Sequence, residues 1–218
     1  MMMKYIGQRN RFAAGAAICI VLLAGCSKDD PKKEDTPELV TKATLVFTSV
    51  GGGVPVTASA TDPDGDGVQN IAVDGPINLL ANATYVMTIE LINGLVAPGQ
   101  PGYDISSEVE AEGIEHQFFF SWESAPFANP LPMDLFSNPA GDGNIDKGTD
   151  PVNYSGGSNS VDATGLNLGL TTIWTTGANI STGKFRVILK HQPGSKTSTS
   201  DVTVGETDLD ITFTLNVQ

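Results

Sequence analysis

Near its C-terminus the chain alternates without a break. Leu209, Ile211, Phe213, Leu215 and Val217 fall on one face of an extended strand, and Asp208, Asp210, Thr212, Thr214 and Asn216 on the other. Side chains along a strand point to opposite faces with period two, so this run fits a half-buried sheet and not a helix of period 3.6. The signature recurs. Tyr85, Met87, Ile89 and Leu91 alternate with Val86, Thr88 and Glu90; Phe185, Val187 and Leu189 alternate with Lys184, Arg186, Ile188 and Lys190. Further strands are expected over 43–50, 55–61, 115–122 and 168–176, with weaker ones near 68–73 and 152–155. Pro55 points to an edge position or a strand start.

Strands that follow strands, separated by loops rich in Gly, Pro, Asn and Asp, predict an all-β fold. The expected form is a single antiparallel β-sandwich of about seven to nine strands. One short helix is expected over 108–112, with Ser107 and Glu110 as a capping box and Gly113 as the stop. The Pro- and Gly-rich stretch 125–151 reads as an elaborated loop. No repeat and no second folded domain is visible, and the predicted β-sandwich domain occupies 43–218.

The N-terminus reads as an address. Lys4, Arg9 and Arg11 precede an apolar run from Phe12 to Leu23. That run is about a dozen residues, well short of the roughly 20 needed to span a bilayer, so 1–25 reads as a secretory signal peptide. It ends in Leu23-Ala24-Gly25-Cys26, which resembles the lipobox of bacterial lipoproteins. The resemblance implies cleavage before Cys26 and acyl chains on its sulfur. The alternative is an ordinary signal peptide with a chance cysteine. Each buried CH₂ of such a chain contributes roughly 0.8 kcal/mol, so two or three chains anchor stably. The chain has two cysteines, and Cys19 would leave with the signal peptide. The mature protein would then have neither a free thiol nor a disulfide. Ser27-Lys28-Asp29-Asp30 resembles the surface-export signal of Bacteroidota-type lipoproteins, with Lys28, Asp29 and Asp30 as its charged residues. A solvated charged tether is the alternative. Residues 26–42 read as the lipidated N-terminus and a flexible stalk. The expected location is the outer membrane, lipid-anchored and exposed at the cell surface.

Charge narrows the partners. Three of the 12 basic residues lie before Cys26 and none of the 25 acidic ones does, so the mature chain carries nine against 25, or −16. Between Lys42 and Lys147 there is no Lys or Arg, but there are 14 Asp and Glu. Such a surface repels phosphate backbones, which excludes nucleic acid as a natural partner and favours cations or basic partners. Solubility alone is the plainer explanation.

Three patterns offer chemistry. Asp62-Pro63-Asp64-Gly65-Asp66-Gly67 places carboxylates at alternate positions, as in the first half of an EF-hand loop. The twelfth position is Val73 and the flanks read as strands, so a Ca²⁺-binding strand connection through Asp62, Asp64 and Asp66 is expected rather than an EF-hand. A polar turn is the alternative. Asp142-Gly143-Asn144-Ile145-Asp146 is a weaker echo. The two histidines form the second pattern. His116 is in phase with Phe118, Phe120 and Trp122, and His191 with Phe185, Val187 and Leu189. Both are thus directed toward one interior or its rim, where Glu115 would complete a transition-metal set. Structural histidines are the alternative. Third, Trp122, Trp174, Tyr103 and Tyr154 could form a stacking platform for glycans, or simply pack. No GxSxG, HExxH or P-loop spacing is present, and the chain is not expected to be an enzyme.

Several segments together resemble a group of small Bacteroidota lipoproteins that accompany TonB-dependent outer-membrane receptors. They are Thr44-Leu45-Val46-Phe47-Thr48, Gly51-Gly52-Gly53-Val54-Pro55-Val56-Thr57, the DPDGDG loop, Glu115-His116-Gln117-Phe118-Phe119-Phe120, Leu189-Lys190-His191-Gln192-Pro193 and Gly205-Glu206-Thr207-Asp208. Members of that group are sometimes labelled as having a type 1 periplasmic-binding fold. That fold requires alternating βαβ units, whereas the periodicity here sets strand after strand. The resemblance implies a non-catalytic surface lipoprotein that captures a ligand or metal for a TonB-dependent transporter. A Ca²⁺-stabilised adhesive or structural module, or a glycan-binding module, is the alternative.

Overall fold

The apolar face of the C-terminal run is buried along its whole length in a computed structural model of the chain: Leu209, Ile211, Phe213, Leu215 and Val217 are each at most 2% exposed. The structure describes residues 38–65, 71–124, 152–156, 161–166, 168–178 and 181–218, with backbone alone at 122–124, 152–156 and 181. The elements are β1 (Lys42–Ser49), β2 (Val56–Thr61), β3 (Ala72–Val73), β4 (Ile77–Leu79), β5 (Thr84–Ile92), α1 (Ile105–Ala111), β6 (His116–Ser124), β7 (Val152–Gly156), β8 (Thr171–Thr176), β9 (Ser181–His191) and β10 (Glu206–Val217).

These strands form two sheets, ordered β3-β2-β1-β5-β8-β7 and β4-β10-β9-β6. The chain is all-β and sandwich-like with one short helix, as the periodicity predicts. Two details differ from expectation. Ten strands occur among the described residues rather than seven to nine, because Ile77–Leu79 is too short to display alternation. It also pairs parallel to β10, so the smaller sheet is mixed rather than purely antiparallel. Pro55 sits immediately before β2, where its missing N–H disturbs no ladder bond.

Facing side chains from both sheets fill one core. Phe47 on β1 meets Phe185 on β9 edge-on at 6.4 Å, and Trp174 on β8 meets the same ring at 5.2 Å. Phe120 on β6 lies 5.4 Å from Trp174. A second, smaller cluster of Phe119, Ile188 and Val202 lies on the outer side of β6 and β9, which explains why Ile188 is buried despite its polar neighbours.

The helix is longer than expected and is capped differently. It begins at Ile105, and Asp104 is the N-cap, accepting hydrogen bonds from the Ser107 backbone N–H at 3.1 Å and the Ser107 hydroxyl at 2.7 Å. Ser107 is thus the partner of the cap rather than the cap. The reason is packing: Ile105 and Val109, four residues apart, are the two buried positions, and a start at 108 would leave Ile105 outside the helix. α1 joins β5 in one sheet to β6 in the other, so it forms no βαβ crossover. No helix among the described residues is long and apolar enough to cross a membrane.

Candidate functional site

β6 and β9 pair antiparallel with His116 directly opposite His191, and the two imidazoles stack with centroids 4.7 Å apart and planes 12° from parallel. Both histidines are buried. The shared phase read from the sequence therefore brings them together, but not around a common point. An imidazole binds a metal in its own ring plane, and two stacked rings hold their lone pairs in separate parallel planes. His191 Nε2 instead faces Glu115 Oε2 at 3.6 Å. The expected His116–His191–Glu115 set is thus split into two separate environments.

The environment of His116 is the more unusual. Its Nδ1 lies 3.2 Å from the backbone carbonyl oxygen of Glu112, the C-cap of α1. A carbonyl only accepts, so Nδ1 carries the proton and a neutral ring turns its Nε2 lone pair the other way. There Nε2 meets Asp208 Oδ2 at 3.4 Å and Glu38 Oε1 at 4.0 Å. Glu38, Glu112 and His116 each place a ligand atom within 4.8 Å of the others'. The His116 and Asp208 side chains are fully shielded, at 0% exposure each, and among the described residues neither His116 Nε2 nor Asp208 Oδ2 has a hydrogen-bond partner.

Asp208 reaches this place through a β-bulge. Thr207 pairs with Lys190 and Leu209 with Leu189, so Asp208 is the extra residue on β10. A bulge re-aims one side chain, and here it turns a residue of the nominally polar face inward. Gly205, at φ +76°, sets up the same approach. A Cβ there would overlap the His191 carbonyl oxygen and the Gln192 side chain. Strict alternation misplaces Asp208 on the solvent face, and nothing in the sequence marks Glu38. Glu112 did carry a signal, since it precedes His116 by four residues.

A buried ion pair closes the same end of the molecule. Lys196 Nζ donates to Asp162 Oδ2 at 2.8 Å and to the Gly113 carbonyl at 2.6 Å. Asp162 Oδ1 accepts from the Thr164 N–H, the Thr164 hydroxyl and the Leu166 N–H. Burial pushes the Asp162 carboxyl up, but the ammonium and these donors outweigh it and hold the pKa down at about 2. Burial lowers the Lys196 pKa, opposed by the carboxylate.

The acidic loop is described only as far as Gly65; Asp66 and Gly67 lie outside the described residues, as does Asp142–Asp146. Asp62 is buried, and its Oδ1 accepts from the Gly65 N–H at 3.2 Å. A side-chain hydrogen bond with Asp64 raises the Asp62 pKa, and burial and the Asp64 charge add to the rise. The two carboxylates are thus close enough to compete for one proton or cation. Gly65 adopts φ +66°, packed against Leu39 and Thr41.

Of the four aromatics that could stack a glycan or simply pack, Trp174 packs. Trp174 is fully buried and donates its Nε1–H to Thr172 Oγ1 at 2.7 Å, so it belongs to the core. Tyr103 is half-buried, and the side chains of Trp122 and Tyr154 lie outside the described residues. A cleft of about 250 Å³ between α1 and β5 is lined by Thr88, Ser106, Ser107, Thr171 and a single carboxylate, Glu110. Cys26, Lys28, Asp29 and Asp30 also lie outside the described residues. Compared with protein-family models, curated proteins and solved structures, the chain matches none of them.

Proposed function

We propose that the chain is a non-catalytic lipoprotein of the outer-membrane surface, anchored through acylated Cys26, that serves as an accessory ligand-capture module for a TonB-dependent transporter. The observation that carries this reading is the short apolar run closed by Leu23-Ala24-Gly25-Cys26 and followed by Lys28, Asp29 and Asp30. The site chemistry supports the non-catalytic part. His116 and Asp208 are sealed from solvent, so a substrate atom has no path to either. General acid–base catalysis needs hydrogen-bond reach between the catalytic group and the reacting atom. Cys26→Ala is expected to move the protein from the membrane pellet to the soluble fraction. A variant that stays in the pellet through a carbonate wash would overturn the anchor.

A second reading, a surface module stiffened by Ca²⁺, is favoured by the crowding of Asp62 and Asp64. Asp62 titrates above its ordinary value, so the folded state loses stability as pH rises through the carboxylate range, and a cation would relieve this. Millimolar Ca²⁺ is expected to raise the melting temperature by several degrees. A ligand at a hundredfold excess over Kd contributes about 2.7 kcal/mol, and a domain of this size gains roughly 2–4 °C per kcal/mol. Asp64→Ala with Asp66→Ala should erase most of that rise, and Mg²⁺ should do less than Ca²⁺. Equal Ca²⁺ shifts in both proteins would reduce the loop to an acidic turn.

A further inference from the structure

We propose that the outward face of the larger sheet is a self-association surface. A second copy of this chain packs on it face to face, about a two-fold axis that runs along the strands between β1 and β5. This inference goes beyond the surface-lipoprotein reading and does not depend on Cys26.

Charge sets this face apart. β1, β5 and β8 send Leu45, Met87 and Trp174 into the core, so the alternate residues point away from it. Thr44, Val46, Val86, Thr88, Thr171 and Ile173 are such outward positions, each half-buried. On β2, β1, β5 and β8 the outward positions carry only two charges, Lys42 and Glu90. The outward side of the smaller sheet, by contrast, carries Lys184, Arg186, Lys190 and Asp210. Depletion of charge at the centre is the compositional mark of an interface. The chain has a formal net charge of −13, so copies repel one another, and a face without carboxylates at its centre is where they meet at least cost.

The strand register makes the face self-complementary. Thr57, Val46, Thr88 and Thr171 stand side by side in one row across four strands. The next row sets Thr48 beside Val86 and Ile173. Rotation about the proposed axis lays β1 over β5 of the second copy, and β2 over β8. Val46 then meets Thr88 of the second copy, and Thr48 meets Val86, so methyl groups fill the seam.

The two charges choose the axis. Lys42 on β1 pairs with Ile92 on β5, and Glu90 is the next outward residue along β5. Among the described residues neither Lys42 nor Glu90 has an ion-pair partner. An axis along the strands keeps equivalent ends together. Each Lys42 then lies opposite Ile92 of the second copy, with Glu90 of that copy about 7 Å further along. Packed sheets stand about 10 Å apart, a gap that these two long side chains span together. One ion pair forms on each side of the axis. An axis across the strands would set this end against the one that carries Thr84 and Thr175, and would leave all these charges unpaired.

Strand spacing and rise give the face roughly 25 Å in each direction, on the order of 600 Å². Standard interfaces bury about 800 Å² on each partner and weaker ones less, so a dissociation constant of about 1–100 μM is expected. Glu110 of α1 stands at the rim, beside Thr88 and Thr171, where it keeps its water.

The test is sedimentation of the full-length protein in density-matched detergent across a range of concentrations, with a monomer–dimer equilibrium expected. Val46→Lys sets two ammonium groups into the seam and should weaken association at least about tenfold. Lys42→Glu and Glu90→Lys each create like-charge pairs on both sides of the axis and should do the same. An equal mixture of these two variants should recover the wild-type constant, because every pair in the mixed dimer is again opposite in sign. All three substitutions are at outward positions, and unchanged melting temperatures check that the variants fold. A wild-type chain that stays monomeric up to about 1 mM, tenfold above the weakest constant expected, would overturn the pairing in favour of a different protein as occupant. Wild-type association in Val46→Lys, or a mixture no stronger than its separate components, would also overturn it. None of these results bears on lipidation, which Cys26→Ala tests separately.

Discussion

Lys196→Met is expected to lower the melting temperature of the protein by about 10 °C. The substitution keeps the length of the side chain and removes its charge. It leaves the Asp162 carboxylate, whose side chain is 0% exposed, without its cation and the Gly113 carbonyl without its donor. Breaking a buried pair by removing one partner costs about 3–5 kcal/mol, and a domain of this size loses roughly 2–4 °C per kcal/mol. The pair also predicts a pH dependence. The Asp162 carboxyl titrates at about 2 in the folded state against an ordinary value of 3.8. Its contribution is present above the ordinary value and is lost as pH falls towards 2. The melting curves of wild type and variant should therefore converge in acid. Replacing both partners, Asp162→Asn with Lys196→Met, should recover much of the loss, because the amide oxygen still accepts from Thr164 and Leu166 and no charge is left buried. A Lys196→Met protein that melts within 2 °C of wild type at pH 7, on the order of the smallest shift expected from 1 kcal/mol, would mean that solvent reaches the pair.

Trp174→Ala should cost about as much, for a different reason. Large-to-small changes at buried aromatic positions cost about 3–5 kcal/mol, through lost transfer energy and the cavity left behind. Trp174 is fully buried, with Phe120 and Phe185 edge-on at 5.4 and 5.2 Å, so it joins the larger sheet to the smaller one. Its loss also removes the donor to Thr172. Trp174→Phe should retain much of the stability, since it keeps an aromatic ring in the gap. A ligand-stacking role would give the opposite pattern: an unchanged melting temperature and weaker glycan binding. Thermal unfolding of the two variants separates these outcomes.

The long strands were legible because burial on one face writes itself into the sequence with period two. Tyr85 to Leu91 and Leu209 to Val217 needed no tertiary information. β4 was not legible, since three residues cannot establish a period, and its place beside β10 depends on how the chain changes sheets near Asp74–Gly75. The helix start was misplaced because Asp104 and Ser107 are both good caps, and only the burial of Ile105 chooses between them. At the candidate site, phase alone placed His116 and His191 together. Its carboxylates were hidden for separate reasons. Asp208 breaks the alternation through a bulge, and Glu38 approaches from 78 positions before His116 in the numbering, by a tertiary contact that no local pattern records. Asp162 and Lys196, 34 residues apart on two loops, were invisible on the same grounds.

The central claim is that the chain ends its maturation as a lipoprotein, and the most direct measurement is the mass of the mature N-terminus recovered from membranes. The account predicts that the first residue is Cys26, carrying a diacylglyceryl group on its sulfur, with no peptide from 1–25 in the mature protein. A mature chain that begins elsewhere, or that begins at Cys26 with an unmodified thiol, would contradict it.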